Sequence, residues 1–182
     1  MEELQNAPFI NINAYPGVGN SQSLRSCVVS NHLLTDPVAA VFERTAEEYQ
    51  TLRRALRKEL LASLATSEST RDTAWTFPDQ QSSSELGSST AREYQTAAAL
   101  RGPPFISIIL SCELNENLKR AGSEDRGKGS NTKLTKLAIL RSIRQQEDIF
   151  RFGNKAEMEL DVTTLAPGEA CWKVYEHIGA LV

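Results

Sequence analysis

FININAYPGVGNSQS, residues 9–23, is the stretch on which the interpretation of the whole chain depends. Its first half, with apolar Phe9, Ile10 and Ile12, predicts a strand, and Pro16-Gly17 is a turn signal that ends it. A glycine-bearing turn directly after a strand is where many proteins hold phosphate with backbone N–H groups. The stretch therefore predicts a phosphate-binding loop or, as the alternative, an ordinary turn that joins a strand to the next element.

The spacing of the loop favours phosphate binding, although two positions depart from the motif. The motif requires glycine, four residues, a second glycine, lysine and a hydroxyl residue. Ala14 stands at the first glycine and Asn20 at the lysine, so we expect weakened triphosphate binding and catalysis. The candidate cofactor-binding residues are Gly17, Val18, Gly19, Asn20 and Ser21, and Ser21 is also a candidate magnesium ligand.

Composition limits the classes of protein to which the chain can belong. Its 182 residues, 40% hydrophobic and 24% charged, indicate one globular domain of ordinary size. A net charge of −3 gives no general attraction to nucleic acid or to a membrane surface. No apolar run approaches the roughly 18 residues of a membrane span, and no signal peptide is visible. We therefore expect a cytoplasmic protein with neither nucleic-acid nor membrane partners.

The three cysteines, Cys27, Cys112 and Cys171, lie far apart in the sequence. They have no metal-ligand spacing, so a role as small hydrophobic side chains in a reducing compartment is favoured.

Strand-like and helical segments alternate along the rest of the chain. Further strands are predicted at Val28-Val29, 74–77, 105–114 and 158–162. Helices are predicted at 38–64 with a break near Thr45, 90–102, 115–122, 134–152 and from about Pro167, the first beginning at Asp36-Pro37. This alternation predicts an α/β fold, a three-layer sandwich around a mainly parallel sheet.

Acidic and imidazole side chains provide candidates for catalysis and substrate binding. Asp79 follows the strand at 74–77 and is expected at the carboxyl edge of the sheet, where magnesium or substrate would be met. The alternative is an aspartate that stabilises a turn. His32 and Asp36 form a polar pair near an apolar segment, for which substrate contact and a purely structural hydrogen bond are both open.

A basic region lies in the second half of the chain. Its cations include Arg120, Arg126, Arg141 and Arg144, and residues 123–133 form a glycine-rich, charged loop that we expect to be a mobile lid. Such a lid would close over phosphate charge and exclude water. The alternative is a solvated helix face, because acidic residues are interleaved with the basic ones.

Several blocks of the sequence resemble a known group of proteins. These blocks are PFININAYPGVG (8–19), NHLLTDPVAAVF (31–42), AWTFPDQQSS (74–83), GPPFISIILSCEL (102–114), RGKGSNTKLT (126–135) and LRSIRQQEDIFRF (140–152). They resemble fungal P-loop NTPase-like, AAA-domain-like proteins of small-molecule kinase type. That group falls in the nucleoside-kinase, shikimate-kinase and chloramphenicol-phosphotransferase-like class.

The resemblance implies one P-loop NTPase-like domain over residues 1–182, nucleotide kinase-like in fold. It also implies a nucleotide and a small hydroxyl acceptor as partners, with ATP and Mg²⁺ used for phosphoryl transfer. The roles carried over are catalysis for Asp79 and Arg126, cofactor binding for the loop and Arg120, substrate binding for His32, Asp36, Arg141 and Arg144, and metal binding for Ser21 and Asp79.

Three departures from the group's pattern lie close together. Asn20 replaces the loop lysine, Ser30 stands where related kinases often have an acid, and only Ser21 to Ser30 separate the loop from Asn31. A helix and a strand do not fit into ten positions, so a truncated first crossover with a degenerate Walker A loop is predicted. The alternative function is a catalytically inactive nucleotide-binding or scaffold homologue.

Overall fold

A single parallel β-sheet organises the chain in the computed structural model, which describes residues 7–16, 18, 27–123 and 137–182. Its five strands stand in the order β2-β3-β1-β4-β5, and every neighbouring pair is parallel. The strands are β1 (Phe9–Ala14), β2 (Cys27–Val28), β3 (Trp75–Asp79), β4 (Phe105–Ser111) and β5 (Glu157–Asp161). The predicted α/β fold with a parallel sheet is confirmed.

Helices cover both faces of this sheet. They are α1 (His32–Ala39), α2 (Glu47–Thr66), α3 (Glu85–Arg101), α4 (Leu114–Ala121), α5 (Leu137–Gln146) and α6 (Pro167–Gly179). The expected break near Thr45 separates α1 from α2. No helix in the described part of the chain is long and apolar enough to cross a membrane.

β1 lies at the centre of the sheet, and its alternate residues face two different cores. Ile10, Ile12 and Ala14 pack in one cluster with α6, through buried Val174 and Ile178. Phe9, on the other face, belongs to a second cluster that contains residues of α2 and α3. Because β1 is covered on both sides, its carboxyl end is held firmly at the point where the candidate loop begins.

A proline lies inside β3, at the point where the pairing with β2 stops. The amide of Trp75 donates to Pro8 on the β1 side, whereas the carbonyl of Thr76 accepts from Val29 on the β2 side. Pro78 therefore faces the β2 side, where a strand interior would require an N–H donor. The next bond of this ladder would run from residue 78 to the carbonyl of Val29, and Pro78 cannot donate it, so the pairing with β2 ends at this point.

Two helix starts differ from the sequence predictions. α1 begins at His32 rather than at Pro37, which lies inside the helix. α3 begins at Glu85 rather than at residue 90, because the hydroxyl of Ser84 accepts a hydrogen bond from the amide of Gly87 at 3.2 Å and caps the helix.

The last turn of the predicted helix at 134–152 is also different. α5 ends at Gln146, and Ile149 instead forms an antiparallel bridge with Ser82 in the loop after β3. The expected lid at 123–133 lies outside the described residues apart from Ser123.

The first crossover is short, as expected. β1 ends at Ala14 and β2 begins at Cys27, so twelve residues, 15–26, connect the carboxyl end of β1 to the amino end of β2. A parallel connection needs about a dozen residues, so this one is at the lower limit of length.

Candidate functional site

Four of the candidate residues that the structure describes, Val18, Asp79, Arg120 and Arg144, lie at or next to the loops that follow the carboxyl ends of the strands. The chain leaves β1 toward β2 on one side and leaves the adjacent β4 toward β5 on the other. In open parallel sheets, ligands bind in the crevice that such a change of direction creates. The loop after β1 lies at this crevice.

The loop after β1 starts with a tight turn. The amide of Val18 donates to the carbonyl of Tyr15 at 3.3 Å, with Pro16 at the second position of the turn. The Val18 side chain is buried in the core that α6 covers. The remaining candidates of the loop, Gly17, Gly19, Asn20 and Ser21, are outside the described residues.

Two side chains of α4 hold this turn through its carbonyl groups. The Nδ2 of Asn117 donates to the carbonyl of Pro16 at 2.9 Å, and a guanidinium nitrogen of Arg120 contacts the carbonyl of Val18 at 3.4 Å. Asn117 is fully buried, so its amide has no access to water and its hydrogen bonds must come from the chain.

Arg120 connects the loop to the carboxyl end of β5. Its Nη2 donates to the carbonyls of Val162 and Thr163 at 2.9 and 3.0 Å, and its Nε donates to Glu116 at 2.9 Å. Most of its hydrogen-bonding capacity is therefore directed at the chain itself.

Arg144 contributes a third support from α5. Its Nη1 donates to the carbonyl of Cys112 at 2.8 Å and to Oδ1 of Asn117 at 3.2 Å. The guanidinium lies over the Tyr15 ring, 4.6 Å from its centroid, and the Tyr15 hydroxyl donates to the carbonyl of Glu147 at 2.6 Å. Burial raises the pKa of the Tyr15 phenol, and the charge of Arg144 opposes that shift.

Asp79 lies at the end of β3, with 5% of its surface exposed. Its Oδ1 accepts from the amide of Gln80 at 2.8 Å, and its Oδ2 accepts from the Tyr94 hydroxyl at 3.1 Å and from Nε2 of Gln81. Burial, and then the negative charge of Asp79, raise the pKa of Tyr94 well above its usual value. The carboxylate is thus fixed by three donors.

His32 and Asp36 lie on α1, which follows β2 at the outer side of the sheet. Nδ1 of His32 is 3.5 Å from Oδ1 of Asp36, and both side chains are partly exposed. Nearby, Arg53 donates to Oδ1 of Asn31 at 2.9 Å. The two side chains are one helical turn apart on the same helix.

Two further arginine candidates remain. Arg141 is exposed on α5, and Arg126 lies outside the described residues.

Four buried polar residues at this edge were not among the sequence candidates: Asn13, Gln81, Tyr94 and Asn117. The sequence does carry a signal for Asn13, because Asn11 and Asn13 interrupt an otherwise apolar strand at alternate positions and so predict buried amides on one face of it. Polar side chains on one face of a buried strand must find partners, and those partners lie at the strand's carboxyl end.

The described residues offer one buried carboxylate for a metal ion at this edge. No group of three or more histidine, cysteine, aspartate or glutamate residues that could hold a metal occurs among them. Magnesium is usually bound by one or two carboxylates together with substrate phosphates. Asp79 therefore fits an ion that arrives with a nucleotide and does not define a resident metal site.

No protein-family model and no curated protein matches the sequence. Solved structures do match. The gluconokinase of Sinorhizobium meliloti superposes with a TM-score of 0.61 at 11% identity, over 97% of this chain and 94% of its own. The APS kinase of Mycobacterium tuberculosis, seen with AMPPNP and APS, gives 0.58 at 13% identity, over 96% and 99%.

The thymidylate kinase of Candida albicans also gives a TM-score of 0.58, at 15% identity, over 96% of this chain and 92% of its own. These three neighbours are P-loop kinases with different acceptors. The chain therefore has the P-loop kinase fold, as the sequence resemblance implies, and the likeness extends over nearly its whole length.

Proposed function

We propose that this chain is a P-loop nucleotide-binding protein of small-molecule kinase type, which transfers a phosphoryl group from Mg-ATP to a small hydroxyl acceptor. The observation that carries the proposal is the meeting, at the carboxyl edge of a P-loop kinase fold, of the turn after β1 and the buried Asp79 carboxylate. The neighbouring strands β1 and β3 bring them to the same edge, where Asn13 pairs with Asp79 in register.

Asp79 would act on the acceptor side of the reaction. A carboxylate at this position can accept the proton of an acceptor hydroxyl or bind a magnesium ion that accompanies the nucleotide. Magnesium would neutralise phosphate charge when bound. Ser21 is the second proposed metal ligand.

The proposed nucleotide side consists of Gly17, Val18, Gly19, Asn20 and Ser21, supported by Arg120. Arg126, Arg141 and Arg144 are proposed to meet phosphate or acceptor charge, and His32 with Asp36 to contact the acceptor. Arginine is suited to these roles because it presents several donors to a phosphoryl group at once.

Specific contacts favour a second candidate, a nucleotide-binding or scaffold protein without phosphoryl transfer. The amide of Val18 already donates to the carbonyl of Tyr15. The N–H groups of Arg120 and Arg144 that have described partners donate to backbone carbonyls, to Glu116 and to Asn117. Phosphate would compete with these contacts. Asn20 also removes the positive charge that a triphosphate usually meets in this loop.

Calorimetric titration with Mg-ATP, followed by an assay of ATP consumption with a panel of nucleosides, sugars and hydroxyl-bearing antibiotics, tests the proposal. A kinase gives binding and acceptor-dependent consumption, whereas the second candidate gives no acceptor-dependent consumption. If folded protein neither binds Mg-ATP nor consumes it, the kinase assignment is wrong.

The variant Asn20→Lys locates the defect in a weakly binding protein. We expect its affinity for Mg-ATP to rise at least about tenfold, since a lysine restores a charge-assisted contact to phosphate. Asn20→Met is the matched control, because it adds length without charge. An equal gain in both variants would contradict the electrostatic explanation.

A further inference from the structure

Asn13 is a buried polar side chain with three hydrogen bonds at the carboxyl edge of the sheet, and none of the proposed roles uses it. It lies one residue before the end of β1 with 1% of its surface exposed. Its Nδ2 donates to the carbonyls of Gln81 and Phe150 at 3.0 and 3.2 Å, and its Oδ1 accepts from the amide of Gln81 at 2.8 Å. All three partners belong to segments far away in the sequence.

The two bonds from Asn13 fix both the N–H and the C=O of Gln81. One amide side chain meets both the N–H and the C=O of Gln81, as a neighbouring strand would. The carbonyl of Gln81 also accepts from the amide of Phe150 at 2.9 Å. The backbone at Gln81 is therefore held by β1 and by the segment that follows α5.

The side chain of Gln81 passes this constraint to Asp79. Its Nε2 donates to Oδ2 of Asp79, the same oxygen that accepts from the Tyr94 hydroxyl. Gln81 is 6% exposed, so water cannot easily replace the bond. A continuous series of contacts thus leads from Asn13 through Gln81 to the carboxylate.

Only asparagine has the chemistry that this position requires. The site needs two donors and one acceptor on a short side chain, a set that leucine lacks and that aspartate cannot supply when ionised. Asn11 provides an internal comparison, because it lies two residues earlier on the same face and is also fully buried. Its Nδ2 reaches only the carbonyl of Phe77, at 3.5 Å, and its Oδ1 has no hydrogen-bond partner among the described residues.

We propose that Asn13 is a positioning residue that sets the orientation of the Asp79 carboxylate through Gln81. The proposal rests on the phosphoryl-transfer function assigned to Asp79. Asn13 touches no reacting atom. Its effect is to keep the carboxylate in one orientation at the edge of the sheet, so that no reorientation is needed when an acceptor arrives.

A double-mutant cycle tests this series of contacts. In Asn13→Leu we expect kcat to fall about tenfold or more with KM for ATP changed less than twofold, because nucleotide contacts are retained. Gln81→Leu should reproduce the loss, and the double variant should lose no more than Gln81→Leu alone, since both changes interrupt one pathway. Asn11→Leu makes the same chemical change on the same strand face and should leave kcat within about twofold.

The ¹³Cγ resonance of Asp79 gives a second measurement that does not depend on turnover. It should move in Asn13→Leu and Gln81→Leu and stay in place in Asn11→Leu, whereas a merely structural role for Asn13 would lower thermal stability without this selectivity.

If wild-type protein has no kinase activity, the proposed function fails while this comparison still decides the positioning role. Additive losses of kcat, or an Asp79 resonance that Asn13→Leu leaves unchanged, would overturn the proposal. Should Asn13→Leu not fold, Asn13→Ser and Gln81→Leu provide the same comparison.

Discussion

The two sides of the carboxyl edge hold their charged groups in opposite ways. On the α4 and α5 side, Asn117, Arg120 and Arg144 direct N–H donors at backbone carbonyls around the loop after β1. On the β3 side, Gln80, Gln81 and Tyr94 direct donors at one carboxylate. The first arrangement fixes a backbone and the second fixes a negative charge.

This difference indicates where change would be tolerated. A backbone held by two side chains, with Arg144 over the Tyr15 ring as a third support, keeps part of its support when one is lost. A carboxylate whose chemistry is needed has no substitute. Variants on the β3 side should therefore affect activity most, and variants on the other side should affect stability and loop order.

The largest effect is expected for Asp79→Asn. Loss of the anionic oxygen should lower kcat at least about 100-fold, the usual range for removal of an acid–base or metal-binding carboxylate. Steady-state kinetics with Mg-ATP and the acceptor found in the panel measures it. Asp161→Asn, the same change at the end of the outer strand β5, is the matched control, and an equal loss in both would contradict a special role for β3.

Asn117→Leu should have the largest effect on stability. It removes the partner of the Pro16 carbonyl and one of the two acceptors of the Arg144 Nη1, both partly buried, at a cost of about 1–3 kcal/mol for each group that water cannot reach. Urea unfolding measures the loss. A change below about 0.5 kcal/mol would mean that the loop after β1 is not held by α4.

Arg120→Lys separates loop support from phosphate binding, with a smaller effect. The charge is kept, but an ammonium group cannot reach the carbonyls of Val18, Val162 and Thr163 together. We expect faster amide exchange at the loop and about 1 kcal/mol of lost stability, with affinity for Mg-ATP reduced less than in Arg120→Met. Equal affinity losses in the two variants would show that charge at this position is not felt by the nucleotide.

The smallest effect is expected for Tyr94→Phe, and it should depend on pH. Near neutral pH the variant loses one hydrogen bond to Asp79, about 1 kcal/mol. The pKa of Tyr94 is raised in the folded protein, so the folded state retains a proton that the unfolded state releases above about pH 10. Wild type should therefore lose stability above that pH, and the advantage over Tyr94→Phe should shrink there. Denaturant unfolding at pH 7 and pH 10.5 tests the sign.

Elements that depend on local signals could be predicted from the sequence. The strand that ends at Pro16-Gly17, the short strand near Val28, the end of α3 at Gly102 and the start of α6 at Pro167 follow from alternation, glycine and proline. The segment after α5 could not be predicted in this way. Its helical pattern continues past Gln146, but pairing of Ile149 with Ser82, a contact across the fold, overrides it.

The same distinction applies to the candidate site. Sequence order and a glycine-bearing turn placed Asp79 and the loop after β1 at one edge, because parallel strands end together. The partners of Arg120 and Arg144 could not be read from the sequence, since carbonyl groups are present at every residue and carry no signature. Asn13 and Asn117 were missed for a related reason, because their importance depends on which distant backbone groups they meet.

Pro78 has a consequence for how this protein behaves in a crowded solution. β2 pairs only with Trp75 and Thr76, so among the described residues the end of β3 has no strand partner on that side. An uncovered border is where strands of other molecules can add and begin aggregation. Pro78 is buried in the folded chain, and it also lacks the N–H that an incoming strand would need, so pairing at this border is weakened even where the surrounding chain opens.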